Sequence, residues 1–413
     1  MANHWAVFLS NNADKHGLIH QLLSSKATNA LATFNGQKGA LFSTIALKEF
    51  IDEEALHEEL VVSKEYNRSI RTLSSGEQKK ALLAYLLAQK PDFIVLDNPF
   101  DNLDIATQAS LLQKLIEISE HISIVQFINR AKDLLPFIAN AASLEGNQLI
   151  FYDSVQAYLS QHLAAHLETL PAPVPKPIRA FDIQGSELVK FTNVTVSYEG
   201  RVIVKKINWT IKKGDFWQLV GPNGAGKTTL LTMITGDNPK AYGQDLILFG
   251  RKKGSGETVW EIKEKIGYLT PAMTDLFSTR HTVGQMIVSG FLDSIGLYKQ
   301  PSDIQLRLAD EWLHLIGMVH LKNKPFCNLT LGQQRMALIA RAMVKHPPLL
   351  ILDEAMSGLD DANVELVSML INKIAAESTT AILYVSHRVE EGLAPDKIFA
   401  LTPSEGGSKG TVL

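Results

Sequence analysis

The sequence predicts an α/β fold built as two tandem units, the first of them truncated. Three observations carry that expectation. A glycine-rich run, Gly221-Pro222-Asn223-Gly224-Ala225-Gly226-Lys227-Thr228-Thr229, stands between an apolar strand pattern, Phe216-Trp217-Gln218-Leu219-Val220, and a helical one, Leu230-Leu231-Thr232-Met233-Ile234. A second set of runs occurs twice, in the same order and at the same spacing. Between the copies lies Pro171-Ala172-Pro173-Val174-Pro175-Lys176-Pro177, an extended, semi-rigid polyproline-type linker.

The glycine-rich run fits the pattern G-x-x-x-x-G-K-[ST] at every required position. Gly221, Gly224 and Gly226 lack the Cβ that would keep a backbone from curling closely around an anion. The N–H groups freed at the following helix N-terminus then point at phosphate. Lys227 would reach the β/γ-phosphates of a nucleoside triphosphate and Thr228 would hold Mg²⁺. A chance match of nine residues in strand–loop–helix context is improbable.

The repeated runs establish the duplication. The first copy reads Leu73-Ser74-Ser75-Gly76-Glu77-Gln78-Lys79-Lys80, then a helical pattern from Ala81 to Leu87. A buried-strand pattern, Phe93-Ile94-Val95-Leu96, follows and ends in Asp97-Asn98-Pro99, before Asn102-Leu103-Asp104. The second reads Leu329-Thr330-Leu331-Gly332-Gln333-Gln334-Arg335, a helix through Arg341, the strand Leu349-Leu350-Ile351-Leu352, Asp353-Glu354, and Gly358-Leu359-Asp360. Leu73 to Asp97 and Leu329 to Asp353 both span 24 positions, and 7 more lead to Asp104 and Asp360. Two independent folds would not share this register.

Upstream, Trp5 precedes Lys15 by 10 positions, as Trp217 precedes Lys227, which sets Leu9-Ser10-Asn11-Asn12-Ala13-Asp14-Lys15-His16 against the phosphate loop. Leu9, Asn12 and Asp14 replace the glycines, and His16 replaces the metal-binding hydroxyl. Such a loop cannot wrap phosphate closely, and Asp14 would repel it, so the first half is not expected to bind ATP in the usual way. Lys15 to Leu73 is 58 positions against 102 from Lys227 to Leu329, so 44 residues are missing there. The expected domains are 1–160, a linker at 161–186, and 187–413. The second domain opens with strand patterns Leu188-Phe191 and Val194-Tyr198, joined through Glu199-Gly200-Arg201 to Val202-Val204, with no equivalent in the first. Thr402 to Leu413, rich in Gly and Ser, is predicted to be loose.

Composition narrows the function classes. Of 413 residues, 46% are hydrophobic and 20% charged, the balance of an ordinary globular chain. A net charge of -3 gives no general argument for nucleic acid or an anionic membrane surface. The single cysteine, Cys327, cannot form an internal disulfide, which suits a reducing cytosol, and it is predicted to be a small buried hydrophobe. The start, Met1-Ala2-Asn3-His4-Trp5, lacks the features of a signal peptide, and no apolar run approaches the ~20 residues that span a bilayer. A cytoplasmic location is expected, peripheral at most on a membrane, and any membrane role must come through a separate partner.

With the phosphate loop, the Leu-Thr-Leu-Gly-Gln run, the Ile-Leu-Asp-Glu strand and Ser386-His387-Arg388 in this order, the chain resembles ATP-binding cassette (ABC) ATPases. The likeness covers nearly all of both halves. The stretch from Ser289 to Tyr298 and its surroundings look like the tandem ATPases associated with molybdenum transport. The resemblance implies P-loop domains, each with a mainly parallel sheet and a helical subdomain, that hydrolyse ATP with Mg²⁺. Asp353 would hold Mg²⁺ through water, Glu354 would be the general base, and His387 would contact the γ-phosphate and orient the water. Tyr198 would stack on adenine, or serve only as a core-edge tyrosine. The Asp360 loop would bridge the halves.

In this family cassettes pair head to tail, each nucleotide lying between one loop and the other half's signature. The resemblance therefore implies that Lys227, Glu354 and His387 face the signature Ser74-Ser75-Gly76-Glu77. Ser75 and Glu77 depart from the commonest form of that signature. The opposite site would join the Lys15 loop, with Asn98 in place of the base and Asn129 in place of the histidine, to Thr330-Leu331-Gly332-Gln333. One site should hydrolyse ATP and the other should be dead or structural. The glutamine usual after Ile266-Gly267-Tyr268-Leu269 is missing, Thr270-Pro271-Ala272-Met273 taking its place, which bears on coupling to a permease. Three roles follow: energising or regulating transport of a small, molybdate-type solute with a separate membrane permease, action on the ribosome, or a nucleotide-dependent switch. The short Pro-rich linker and the absence of a basic character favour the first, without direct nucleic-acid binding.

Overall fold

The computed structural model describes every residue except 1, 58–61, 63–67, 102, 163–169, 278–280 and 298. Met1, Asn102, Tyr298 and part of the expected linker thus lie outside the described residues. The chain forms two compact units, Met1–Leu167 with Gly358–Ala362, and Glu168–Ser357 with Asn363–Leu413.

The first unit contains strands β1 (Trp5–Leu9), β2 (Gly39–Phe42), β3 (Phe93–Asp97), β4 (Ser123–Ile128), β5 (Asn140–Glu145) and β6 (Gln148–Tyr152). Its helices are α1 (Lys15–Leu23), α2 (Thr44–His57), α3 (Ser75–Ala88), α4 (Ile105–Ser119) and α5 (Val155–His162). The strands lie in the order β2-β3-β4-β1-β5-β6, parallel except that β6 runs antiparallel to β5. Near-continuous apolar strands are what a parallel sheet covered on both faces requires. Accordingly Trp5, Val7 and Leu9 enter one core with Leu18, Leu22, Phe93 and Phe127, whereas Ala6 and Phe8 enter the opposite core with Leu82, Leu86, Ile94 and Leu115.

The second unit has β7 (Glu187–Tyr198), β8 (Arg201–Lys212), β9 (Phe216–Val220), β10 (Leu246–Leu248), β11 (Arg251–Lys252), β12 (Ile266–Leu269), β13 (Leu349–Asp353), β14 (Ala381–Ser386), β15 (Lys397–Thr402) and β16 (Lys409–Val412). Its helices are α6 (Lys227–Ile234), α7 (Val259–Glu264), α8 (Met273–Leu276), α9 (Val283–Ser289), α10 (Asp303–Leu315), α11 (Leu331–Met343) and α12 (Asp361–Glu377), of which Asp361 and Ala362 group with the first unit. The main sheet runs β12-β13-β14-β9-β15-β16, matching the first unit strand for strand. An antiparallel sheet, β11-β10-β7-β8, is added, and the first unit has no counterpart to it among the described residues. Trp209 from this sheet stacks on Phe399 of β15 at 4.5 Å and joins the two sheets through one core.

Three expectations are corrected here. Leu188–Phe191 and Val194–Tyr198 are one strand, β7, whose register against β8 shifts between Phe191 and Val194, where Asn193 takes φ 53°. A bulge absorbs what the sequence suggested was a break. Thr402 to Leu413 is not loose: β16 pairs with β15, and a Cβ on Gly410 would stand 2.1 Å from the Phe399 ring, so glycine here lets two strands close over an aromatic side chain. Cys327 is exposed rather than buried, on the short turn Phe326–Asn328, its Sγ facing Asn328 Oδ1.

The first two residues of the expected linker, Gln161 and His162, end α5 of the first unit, and its described residues from 170 onward belong to the second unit. Val174 is buried and its N–H donates to the Glu377 carboxylate at 2.8 Å. Nearby, His346 sits at φ 50° with Nε2 buried and unpartnered, and burial lowers its pKa to about 4. A histidine that stays neutral when folded contributes stability fully present above about pH 6.5 and lost as pH falls toward 4, up to about 3 kcal/mol. His346→Asn, which tolerates the same backbone, is expected to move the second unit's acid-unfolding midpoint to lower pH, as measured by circular dichroism.

Candidate nucleotide site

Strand order brings the predicted residues together. In the second unit β9 and β14 are neighbours, with Val220 opposite Ser386, and β13 lies next to β14 with Asp353 opposite Val385. The loop after Val220, the Asp353-Glu354 step and His387 therefore leave the carboxyl ends of adjacent parallel strands at one level, where open α/β sheets bind ligands. The resulting cleft of about 510 Å³ is lined by Tyr198, Asn223, Lys227, Thr228, Pro271 and Glu354 among others.

The glycines of the loop answer to local geometry. Gly224 and Gly226 take φ 76° and 96°. A Cβ on Gly226 would also stand 2.5 Å from Val204, and one on Gly221 would stand 2.9 Å from the Leu401 carbonyl. Pro222 and Ala225 complete the curl, with Ala225 N–H bonded to the Pro222 carbonyl. Helix α6 starts at Lys227 after Gly226, which has no side chain to cap it, and its first turn, Lys227 to Thr229, lines the cleft. Lys227 Nζ is held over the loop by the carbonyls of Gly221 (2.5 Å) and Pro222 (3.1 Å), and the Thr228 and Asn223 side chains are exposed. Thr229, one position on, lines the same cleft.

Opposite stand the carboxylates. Burial, helped by Glu354 and opposed by Lys227, raises Asp353 to about 6. Glu354 is held below the usual glutamate range chiefly by His387, whose Nδ1 lies 3.6 Å from Oε1, a close contact longer than a normal hydrogen bond. Glu354 occupies φ 48°, a conformation that strains a non-glycine residue by on the order of 1 kcal/mol. Its N–H bonds to the Val385 carbonyl, which fixes the turn. The turn bearing His387 is pinned by buried Gln218, whose Nε2 donates to Ser386 Oγ and the Arg388 carbonyl.

Among the described residues no group of three or more His, Cys, Asp or Glu side chains could hold a metal ion unaided. Thr228 and Asp353 instead supply a hydroxyl and a crowded, half-buried carboxylate, a set that fits an ion whose remaining ligands are phosphate oxygens and water.

The first unit repeats this frame with different chemistry. Asn98 takes φ 44° and bonds its N–H to the Phe127 carbonyl, as Glu354 does to Val385, so asparagine, which tolerates that conformation, stands where the strained glutamate stands. Its Nδ2 donates to Asn129 Oδ1 at 2.8 Å. Lys15 Nζ reaches both oxygens of buried Asp97, at 3.0 and 2.9 Å. Asp14, read above only as repelling phosphate, caps α1 by accepting the Gly17 N–H, and a Cβ on Gly17 would stand 2.4 Å from its carboxylate. Within the same unit, Asp360 accepts the Asn11 N–H at 2.9 Å. The chain's own carboxylates thus take the donors that phosphate would need.

The signature runs are helix starts. Ser74 and Glu77 form a capping box on α3, as Thr330 and Gln333 do on α11. Glu77 accepts the Ser74 N–H and pairs with Arg68. Gln78 and Gln334 each donate to a carbonyl eight residues upstream, Ile70 and Phe326. A Cβ on Gly76 would meet Thr107, and one on Gly332 would meet Asn363. Ser75 lies in the first turn of α3, half-buried. Tyr198 is partly exposed and its hydroxyl accepts from Asn238 Nδ2 at 2.8 Å. Ile203, which lines the cleft, and Asn238, which holds the Tyr198 hydroxyl, are residues that sequence reasoning missed, since neither belongs to a spaced motif.

The profile described as "ABC transporter" matches residues 204–357. The chain is 40% identical over 338 residues, 79% of its length and 69% of the relative's, to the ABC transporter ATP-binding protein ModF of Escherichia coli (strain K12). The chain belongs to the ABC ATP-binding proteins. It is a tandem ABC ATPase. An uncharacterized ABC transporter ATP-binding protein of Schizosaccharomyces pombe is 30% identical over 328 residues, 78% of this chain and 66% of that one. A crystal structure of the archaeal ribosome recycling factor aABCE1 with the stalk protein aP1 matches with TM-score 0.63 over 99% of this chain and 85% of that chain, at 18% identity, a likeness of fold alone. Among the described residues no helix of this ABC ATPase is long and apolar enough to cross a membrane.

Proposed function

We propose that this tandem ABC ATPase hydrolyses MgATP at one composite site, its second domain (187–413) supplying the phosphate loop and its first (1–160), across the linker at 161–186, supplying the signature. The observation that supports this most is the contrast between the loops: the N-terminus of α6 has no side-chain cap, whereas that of α1 is capped by Asp14 and its lysine is paired with Asp97. Gly221 to Thr229 wrap the phosphates, and Tyr198 stacks on the base. Glu354, low-lying in pKa and aligned by His387, takes the proton of the attacking water while Lys227 stabilises charge on the γ-phosphate. Thr228 and Asp353 would hold Mg²⁺, which would supply charge neutralisation at the phosphates.

Ser74, Ser75, Gly76 and Glu77 close on the γ-phosphate from the first half. Ser74→Asp keeps a good N-cap on α3 but turns a like charge toward that phosphate. Turnover is expected to fall at least ~10-fold with an unchanged unfolding midpoint; an unchanged rate would contradict the pairing.

The cycle energises or regulates transport of a small, molybdate-type solute through a separate permease, from the cytoplasmic side. The likeness to ModF supports this reading over action on the ribosome, for which only a fold-level likeness speaks.

A further inference from the structure

The sequence lacks the glutamine that usually follows β12, and the structure offers another connection at the same place. Pro271, the second residue after β12, lines the nucleotide cleft beside Asp353 and Glu354. Its carbonyl accepts the Thr274 N–H at 3.1 Å and the guanidinium of Arg335 at 3.4 Å, and Arg335 Nη1 also donates to Thr274 Oγ1 at 2.7 Å. Arg335 is 4% exposed and stands in the second turn of α11, two residues after the signature residue Gln333.

Helix α11 is firmly held on both sides. Toward the sheet, a Cβ on Gly267 of β12 would lie 2.5 Å from the Ala342 carbonyl, so helix and strand touch backbone to backbone. Toward the helical part, Arg341 Nε donates to Ser289 Oγ at 3.1 Å and Nη2 to the Ser294 carbonyl at 3.0 Å, and a Cβ on Gly290 would collide with the Arg341 carbonyl. A displacement of Pro271 therefore meets a rigid helix through one buried guanidinium.

Resting on the cleft being the nucleotide site, we infer that Arg335 and Thr274 are positioning residues that tie the cleft wall at Pro271 to the signature helix α11. A guanidinium suits the task because it stays charged when buried and its Nη1 alone carries two N–H donors, one for each acceptor. Neither residue touches the reacting atoms. Nucleotide in the cleft would order Pro271 and, through Arg335, the start of α11.

The test compares the full-length wild type with Thr274→Val and Thr274→Ser. Turnover, MgATP affinity and amide hydrogen exchange are each measured with and without MgATP. Thr274→Val is expected to exchange faster at residues 272–276 without nucleotide, to bind MgATP within about threefold of wild type, to turn over on the order of 10-fold more slowly, and to lose MgATP-induced protection at residues 333–337. Thr274→Ser, which keeps the acceptor, restores all of these. The tether is overturned if Thr274→Val matches wild type in exchange and turnover, or if Thr274→Ser fails to rescue. A wild type that binds no MgATP overturns the site assignment itself, and the nucleotide-free exchange of Thr274→Val still decides the tether.

Discussion

Glu354→Gln is expected to abolish steady-state ATP hydrolysis while leaving MgATP bound. The amide keeps the size of the side chain, its place at the end of β13 and its contact with His387, but cannot accept a proton from water. General-base catalysis contributes on the order of 10²–10⁴-fold, so turnover should drop by at least ~100-fold, with MgATP affinity equal to or tighter than wild type. Affinity should hold because the loop glycines, Lys227 and Thr228 are untouched; the amide also removes the one carboxylate charge that crowds Asp353. A phosphate-release assay alongside equilibrium nucleotide binding checks both halves of this statement. The variant loaded with ATP also separates the two functional readings, since a transport partner predicts recovery with integral membrane protein and the competing reading predicts recovery with ribosomes.

The second large effect is an asymmetry between two lysines that the duplication makes equivalent. Lys227→Ala removes a cation that otherwise meets the β/γ-phosphates, worth about 3 kcal/mol, and MgATP binding should weaken on the order of 100-fold while the unfolding midpoint stays put. Lys15→Ala removes the partner of a buried carboxylate: Asp97 is 7% exposed and Lys15 29%, so the loss lies between that of a surface pair and that of a fully buried one. About 2 kcal/mol is expected, which lowers the first unit's midpoint by roughly 5 °C and leaves nucleotide binding unchanged. Differential scanning calorimetry and nucleotide titration of both variants read the contrast directly.

Much of this was legible in the sequence, because the features concerned are local. Strand–loop–helix order, the loop glycines and the repeated spacing from Leu73 to Asp104 and from Leu329 to Asp360 all lie within short windows, and the matching strand order of the two main sheets follows from them. What escaped is what depends on distant neighbours. Gly410 reads as a flexible terminus until Phe399 is seen beneath it, and Cys327 reads as core until its turn is placed on the surface. Asp14 was legible as a disruption of the phosphate loop but not as the cap of its own helix, since that depends on where the Gly17 N–H points. Arg335 belongs to a motif, yet its partner Thr274 lies 61 residues away in a segment defined in the sequence by what it lacks.

The central claim is that one loop of the pair takes nucleotide and the other is filled by the chain's own side chains. Equilibrium titration of the Glu354→Gln chain with MgATP tests it most directly. One tight site per chain, lost in a Lys227→Ala background and kept in a Lys15→Ala background, is the expected result; two sites of comparable affinity, or a single site that survives Lys227→Ala, would contradict it.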